Sequence, residues 1–227
     1  MKRRESRVLS RPDAVNVAHL VDRCRAFGPG ERFVLWVKGC PRQCPSCYNL
    51  DFPPSVNSGW MTVKGIERHI LATTGIEGVT FVGGEPFCQA RALGALAQRV
   101  RRANKTVMVY SGYTVEQLVS GIEPYAMWLL YSTDLLLDGP YRRDLPTQKL
   151  WRVSANQRLL ALSSRYASQV EAWNQPLGQD FEIRMQADGT LEVLGIPPVG
   201  WKDDSSGTGS VAGQQPGRRK TWEGNSR

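Results

Sequence analysis

Three cysteines lie close together in the sequence, at positions 40, 44 and 47. Their C-x3-C-x2-C spacing places three thiolate donors in one short loop, and thiolates are the usual ligands of iron-sulfur clusters. A cubane 4Fe-4S cluster has four irons, so three thiolates bind three of them and leave the fourth open to a substrate. The loop therefore predicts a cluster held by Cys40, Cys44 and Cys47 that performs chemistry.

Two other uses of these cysteines are less favoured. Structural zinc takes four ligands, usually as two pairs, and the remaining candidates are scattered along the chain: Cys24, Cys88, His19 and His69. A disulfide framework would leave an odd thiol, and no secretory signal precedes the loop. The cysteine pattern therefore predicts a reduced, cytoplasmic protein.

A second motif is the segment Gly83-Gly84-Glu85-Pro86, which directly follows an apolar run. Glycines permit close approach of the backbone to another group, because they carry no Cβ. A Gly-Gly pair alone is more often an ordinary turn, and Asp138-Gly139-Pro140 can equally be a turn that leaves a strand. The functional interpretation therefore depends on the two motifs occurring together.

Alternating strands and helices are predicted around these motifs. Four short apolar runs predict buried strands: 33–37, 78–82, 106–110 and 135–137. Three amphipathic or capped segments predict helices: 61–73, 90–103 and 114–119. Such alternation predicts an α/β fold with parallel strands, whose active sites gather at the carboxyl ends. Cys40, Gly83, Ser111 and Asp138 all follow strands and should meet at that edge.

The C-terminal third is less regular. Residues 181–185 and 191–193 alternate around Asp188-Gly189, which predicts a hairpin. The segment 151–158 is polar, and it is open whether it caps a helix or, as the resemblance described below suggests, helps to form the substrate-facing end. From residue 201 the chain is polar and rich in Gly and Ser, which predicts disorder.

Composition excludes several classes of function. A chain of 227 residues suits one sizeable domain, and no apolar run is long enough to span a membrane. The net charge is +8, but most of it lies in the terminal segments 1–11 and 201–227. The basic residues there lack an aromatic stacking platform, so nucleic-acid binding is not expected.

Together the cysteine loop and the Gly-Gly-Glu-Pro segment resemble the radical S-adenosylmethionine enzymes. Five segments, in order, resemble the small activases of anaerobic ribonucleotide reductase and their glycyl-radical relatives: VKGCPRQCPSCYNLDF, TFVGGEPFCQ, VMVYSGYT, DLLLDGPY and LWRVSANQRLL. The likeness covers about residues 25–200. It implies a partial (β/α)6-type barrel of about six parallel strands over 25–200, preceded by an N-terminal extension (1–24) and followed by a disordered tail (201–227).

The resemblance also implies a reaction. S-adenosylmethionine would bind the fourth iron and accept an electron from the cluster, which breaks its bond to the 5′ carbon. The resulting 5′-deoxyadenosyl radical would abstract hydrogen from a glycine of a partner glycyl radical enzyme. The residues implied to bind the cofactor are Ser46, Tyr48, Gly83, Gly84, Glu85, Ser111 and Asp138. Tyr48 stands where the family often has an imidazole, and should shield the adenine.

The implied partners are the glycyl radical enzyme itself and a flavodoxin- or ferredoxin-like reductant. Two other functions stay open at this stage. One is a stand-alone radical S-adenosylmethionine enzyme that modifies a peptide or a small metabolite. The other is an iron-sulfur electron-transfer protein, against which the intact Gly-Gly-Glu-Pro segment argues.

Overall fold

A seven-stranded sheet is the centre of the computed structural model, which describes residues 11–42, 44, 47, 59–185 and 191–197. In chain order its strands are β1 (Ala14–Cys24), β2 (Arg32–Val37), β3 (Trp60–Thr62), β4 (Gly78–Gly83), β5 (Thr106–Tyr110), β6 (Leu135–Asp138) and β7 (Arg158–Ala161). Their spatial order is β3-β1-β2-β4-β5-β6-β7. The strands β2, β4, β5 and β6 run parallel, whereas β1, β3 and β7 pair antiparallel with their neighbours. A separate hairpin joins β8 (Phe181–Met185) and β9 (Leu191–Gly195).

Five helices accompany these strands in the described residues: α1 (Val63–Ala72), α2 (Ala90–Arg102), α3 (Val115–Val119), α4 (Ala126–Tyr131) and α5 (Val170–Trp173). Short 3₁₀ turns span Pro86–Gln89 and Ser164–Tyr166. The predicted cap of α3 is confirmed, since Thr114 and Gln117 form a reciprocal capping box. Thr62 caps α1 by accepting from the N–H of Gly65 at 3.1 Å.

The main core lies between one face of the sheet and helices α1 to α4. One face of α2 is fully buried: Leu93, Leu96, Ala97 and Val100. In α1, Val63, Ile66 and Ile70 are buried, whereas Leu71 is 44% exposed. The helix begins later than predicted, because residues 60–62 extend as the edge strand β3.

The opposite face of the sheet is covered by loops and by the hairpin. Near the cysteine loop, Trp36 and Val82 pack against Phe27 and Leu194. Farther across, Met108 and Leu137 pack with Trp151, Leu159 and Tyr166. At the amino ends of the parallel strands the fully buried Arg32 bonds to Thr80 and Thr106. These contacts close that end and leave the carboxyl ends for a site.

The four predicted strands are confirmed, and so is the hairpin, although its Asp188-Gly189 turn lies outside the described residues. The described sheet contains four mutually parallel strands rather than about six. The difference arises because β1 joins β2 through a short connection and β7 returns antiparallel to β6. The strand β1 lies within the predicted N-terminal extension. Within the described residues, no helix has both the length and the apolar character needed to cross a membrane.

Candidate functional site

A cavity of about 130 Å³ lies at the carboxyl ends of the parallel strands. All three loop cysteines line it, together with Gly83, Gly84, Glu85 and Ser111 from the ends of β4 and β5. Of the four residues predicted to meet at this edge of the sheet, Cys40, Gly83 and Ser111 line the cavity and Asp138 does not. Much of the remaining wall is apolar or aromatic and comes from Phe27, Trp36, Val82, Tyr110, Val153 and Ile196.

The donor set in this cavity suits an iron-sulfur cluster. Cys40, Cys44 and Cys47 are half-buried and form no disulfide, and burial raises the pKa of Cys40 to about 12. Within the described residues no three side chains are gathered around a single metal ion. A cubane cluster does not require such a group, because each thiolate binds a different iron. The other two cysteines, Cys24 and Cys88, do not line the cavity.

The cysteine loop is anchored at its base by Gln89, whose side chain is buried. Nε2 of Gln89 donates to the carbonyl oxygen of Lys38 at 3.0 Å, and Oε1 accepts from the N–H of Asn16 at 2.7 Å. The N–H of Lys38 in turn donates to the carbonyl oxygen of Asn16 at 2.9 Å. One side chain thus joins β1 to Lys38, which follows β2 and lies two residues before Cys40. No motif in the sequence indicated this role.

The two glycines bring the end of β4 against the start of the cysteine loop. Gly83 has a φ of +105°, and a Cβ there would lie 2.6 Å from the nitrogen of Val37. A Cβ on Gly84 would overlap the carbonyl oxygen of Gly39. The N–H groups of Gly84 and Glu85 donate to the carbonyls of Val37 (2.8 Å) and Gly39 (2.9 Å). The close approach expected of these glycines is present, and it is made to the chain's own backbone.

Glu85 joins the ends of β4 and β5. Its carboxylate is buried and accepts from the N–H of Phe87 at 3.1 Å, the Ser111 hydroxyl at 3.0 Å and the N–H of Gly112 at 2.9 Å. Burial outweighs these hydrogen bonds and raises the pKa of Glu85 to about 7. These contacts fix the turn at the end of β4.

Ser111 and Asp138 differ in their access to the cavity. Ser111 lines it, and its Oγ also accepts from the N–H of Tyr113 at 3.0 Å. Asp138 is fully buried, with Oδ2 accepting from the N–H of Val115 at 2.7 Å and Oδ1 accepting from Nε of Arg158 at 2.9 Å. Its neighbour Gly139 is the residue that reaches the cavity wall. Ser46 and Tyr48 lie outside the described residues.

Arg42 is a cavity residue that sequence reasoning did not single out. Its guanidinium carbon lies 4.9 Å from the centre of the Tyr113 ring, and its side chain passes so close to Gly112 that a Cβ there would lie 2.6 Å from Cδ. The Nε atom is buried and has no hydrogen-bond partner within the described part of the chain. Its position between two cluster cysteines was the only available signal.

The segment from Trp151 to Gln157 forms part of the cavity wall and does not open a helix. Val153 and Gln157 line the cavity. Nε2 of Gln157 donates to the carbonyl oxygen of Gly139 at 3.2 Å, and Nδ2 of Asn156 donates to that of Pro140 at 2.7 Å. The strand β7 follows directly. The segment thus holds the loop after β6 in place, and its predicted position at the substrate-facing end agrees with this wall.

Comparison with known proteins agrees with the geometry. Residues 26–160 match the family model of the 4Fe-4S single cluster domain. The anaerobic ribonucleoside-triphosphate reductase-activating protein of Enterobacteria phage T4 is 36% identical over 139 residues, which cover 58% of this chain and 85% of the phage protein. The proteins of the same name from Escherichia coli K12 and Vibrio cholerae are 34% and 35% identical, and the matches cover 57% of this chain and 88% and 87% of those proteins.

These matches confirm the predicted resemblance to the glycyl-radical-enzyme activases, and with it the predicted class of radical S-adenosylmethionine oxidoreductase. The family-model match, over residues 26–160, includes the segments that carry the three cysteines and the Gly-Gly-Glu-Pro turn. The chain therefore belongs to the family of anaerobic ribonucleoside-triphosphate reductase-activating proteins and contains the 4Fe-4S single cluster domain.

Proposed function

We propose that this chain activates an anaerobic ribonucleotide reductase by removing a hydrogen atom from the α-carbon of one glycine in that partner. The observation that carries the proposal is the convergence of three cysteines and the Gly-Gly-Glu turn on one cavity. The names and coverage of the relatives support the choice of partner.

The residues that would hold the two cofactors follow from their positions in this cavity. Cys40, Cys44 and Cys47 would hold the 4Fe-4S cluster, while Gly83, Gly84, Glu85 and Ser111 would border S-adenosylmethionine. When bound, the two cofactors together supply one-electron cleavage of a sulfonium and a carbon radical that takes hydrogen. The buried, unpartnered Nε of Arg42 and the aromatic wall suit a ligand that is both charged and partly apolar.

The protein's own contribution is to position the two cofactors and to exclude water from them. The turn fixed by Glu85 joins the cofactor-binding ends of β4 and β5, and the buried wall residues Phe27 and Trp36 keep that edge dry. Asp138 would act indirectly, by holding α3 and β7 through Val115 and Arg158. Ser46 and Tyr48 stay predicted cofactor contacts.

We further propose that the mixed sheet is the partial (β/α)6-type barrel, with its loop-covered face directed toward the partner's glycine. The predicted boundaries of this domain, 25–200, would then extend toward the amino terminus to include β1. A flavodoxin- or ferredoxin-like protein is the proposed reductant, and the cytoplasm is the proposed compartment, because free thiols that bind a cluster need a reducing environment.

The test is radical transfer in vitro. The full chain is reconstituted with iron and sulfide without oxygen, reduced, and mixed with S-adenosylmethionine and an anaerobic ribonucleotide reductase. We expect formation of 5′-deoxyadenosine and a doublet electron paramagnetic resonance signal on the reductase. The doublet should collapse when the reductase contains α-deuterated glycine, because its splitting comes from the remaining α-hydrogen.

The matched control is Cys44→Ala, which removes one cluster ligand and should give neither product. Cleavage without a signal on any reductase, accompanied by a mass change in a peptide or metabolite, would instead establish a stand-alone radical enzyme. A verified cluster that never cleaves S-adenosylmethionine would leave electron transfer as the function.

A further inference from the structure

Arg152 is a fully buried arginine without an acidic partner among the described residues. Its Nη2 donates to Oδ1 of Asn174, but Nε and Nη1 have no acceptor within the described part of the chain. Arginine stays charged in proteins, and a buried guanidinium is normally paired or fully hydrogen-bonded. Two unsatisfied donors on such a group require an explanation.

The other fully buried arginine, Arg32, shows what a structural guanidinium looks like in this fold. Its three nitrogens donate to Oγ1 of Thr80 (2.6 Å), Oγ1 of Thr106 (3.1 Å) and the carbonyl oxygens of Val79 (2.6 Å) and Pro29 (3.1 Å). Both arginines lie on the loop-covered side of the sheet. Arg32 is satisfied by its surroundings, whereas Arg152 is not.

A second unpaired group lies near Arg152. The hydroxyl of Tyr110 is buried and has no hydrogen-bond partner among the described residues, and Tyr110 packs against the core cluster that contains Trp151, the residue before Arg152. Tyr110 ends β5, next to Ser111, and lines the cavity. The unsatisfied donors therefore lie behind the cavity wall.

The backbone beside Arg152 is strained. Trp151 has a φ of +61°, in the left-handed region that bulky residues avoid. Its ring packs against that of Trp173, with 5.3 Å between the ring centres. Residues held in such conformations cluster at ligand-binding sites. Val153, which follows Arg152 in the chain, lines the cavity. Strain and an unpaired cation thus occur together in one wall segment, and neither contributes to the stability of the free protein.

We propose that Arg152 and Tyr110 form a carboxylate-binding subsite in the cavity wall, which receives an acidic side chain of the polypeptide that enters the cavity. A carboxylate accepts hydrogen bonds only, so one of its oxygens can accept from the unsatisfied Nε or Nη1 of Arg152. The phenol of Tyr110 supplies a further donor. This inference rests on the proposed function, since it assigns the subsite to the protein substrate of the same site.

Binding requires a small movement, because the unsatisfied atoms are shielded from solvent. Tyr110 and Val153 both line the cavity. Val153 follows Arg152 in the chain, and Tyr110 packs against the cluster that contains Trp151. A shift of either opens the guanidinium to the cavity. The subsite therefore selects a substrate that provides the carboxylate, since without one the buried charge stays unpaired.

The probes are short glycine-centred peptides in which a single Glu or Gln occupies each flanking position in turn. Binding to the full, cluster-free chain is measured by titration calorimetry. At one position we expect the Glu peptide to bind about tenfold more tightly than its Gln counterpart. The preference should disappear in Arg152→Met and weaken in Tyr110→Phe and Arg152→Lys. Equal binding of Glu and Gln peptides at every position, or a preference that persists in Arg152→Met, overturns the proposal.

Thermal unfolding of the free chain provides the matched control. Arg152→Met should leave the melting temperature unchanged or raise it, because it removes an unpaired buried charge, whereas Arg32→Met should lower it sharply. A similar fall in both variants, or a failure of Arg152→Met to fold, would show that Arg152 has a structural partner and would overturn the subsite.

The carboxylate of S-adenosylmethionine is the other possible source of the ligand. Equilibrium dialysis of the reconstituted protein distinguishes a carboxylate of the polypeptide from that of S-adenosylmethionine. Arg152→Met should bind S-adenosylmethionine as the unaltered chain does, while a tenfold loss that spares decarboxylated S-adenosylmethionine would overturn the assignment to the polypeptide. Because the peptide titrations need no cluster, a failure of radical transfer to the reductase does not affect their outcome.

Discussion

The N–H of Glu85 donates to the carbonyl oxygen of Gly39 at 2.9 Å, which joins the Gly-Gly-Glu turn to the residue before the first cluster cysteine. The neighbouring bond from Gly84 to Val37 makes this a continuous contact between the ends of β4 and β2. The two motifs recognised in the sequence are thus parts of one backbone structure. A substitution that displaces the Gly-Gly-Glu turn should therefore also displace the cysteine loop, and the reverse.

Gly84→Ala should damage the cluster site. The new Cβ would overlap the carbonyl oxygen of Gly39, and backbone cannot move aside as a flexible side chain can. Overpacking of this kind costs about 1–3 kcal/mol, and the displaced loop carries Cys40. We expect less iron per chain after anaerobic reconstitution, together with a lower melting temperature.

Gly121→Ala is the matched control for Gly84→Ala. Gly121 has a φ of +84° and open space around its Cβ position, so alanine there introduces backbone strain of about 1–2 kcal/mol without a clash. It should lower the melting temperature and leave the iron content unchanged. Equal iron loss in both variants would mean that iron content follows overall stability rather than the Gly84–Gly39 contact.

Much of the sheet could be predicted from the sequence because its central strands are uninterrupted apolar runs. The run 106–110 is the strand β5, and 135–137 falls within β6. The strand β1 was missed, because its sequence mixes buried and exposed residues across a long antiparallel edge and contains His19, Asp22 and Arg23. Helix α4 was missed because a left-handed Tyr125 precedes it in place of a capping side chain.

The candidate site was predicted unevenly for a similar reason. The cysteines and glycines can be recognised by their spacing in the sequence. The roles of Gln89, Arg42 and Arg152 depend on contacts between residues far apart in the chain. Asp138 is the opposite case. Its place at a strand end predicted a cofactor contact, which stays a prediction, and the contacts of its two oxygens with Val115 and Arg158 could not be read from the sequence.

The stability of the cluster-free chain should fall between about pH 4.5 and pH 7 because of Glu85. Its pKa is raised to about 7 in the folded protein from an ordinary 4.5, so within this window the unfolded chain releases a proton that the folded chain keeps. Unfolding is then favoured as pH rises, by up to about 3 kcal/mol. Denaturant unfolding of the unaltered chain and of Glu85→Gln, compared across this window, checks the prediction. The difference between the two should depend on pH, and a constant difference would contradict it.

The cluster should depend on three cysteines only. Cys40→Ala, Cys44→Ala and Cys47→Ala should each abolish the visible absorption of the reconstituted 4Fe-4S centre, since each removes a thiolate that lines the cavity. Cys88→Ala and Cys24→Ala are the controls. Cys88 donates to Oε1 of Glu123 at 3.3 Å, and Cys24, the last residue of β1, is buried in the core. A loss of iron in Cys88→Ala alone would contradict the ligand assignment.

Asp138→Ala should lower the free energy of unfolding and leave cofactor binding unchanged. The change leaves the N–H of Val115 and the guanidinium of Arg158 without their shared acceptor, which costs about 2–4 kcal/mol in a buried position. Glu116→Ala is the control, since Glu116 is the exposed second partner of Arg158, at 2.9 Å from Nη2, and its loss should change the free energy of unfolding little. Under conditions where both variants are folded, both should bind S-adenosylmethionine as the unaltered chain does, because the Asp138 carboxylate does not line the cavity. A variant of Asp138 that keeps full stability but loses S-adenosylmethionine binding would show instead that the carboxylate contacts the cofactor directly.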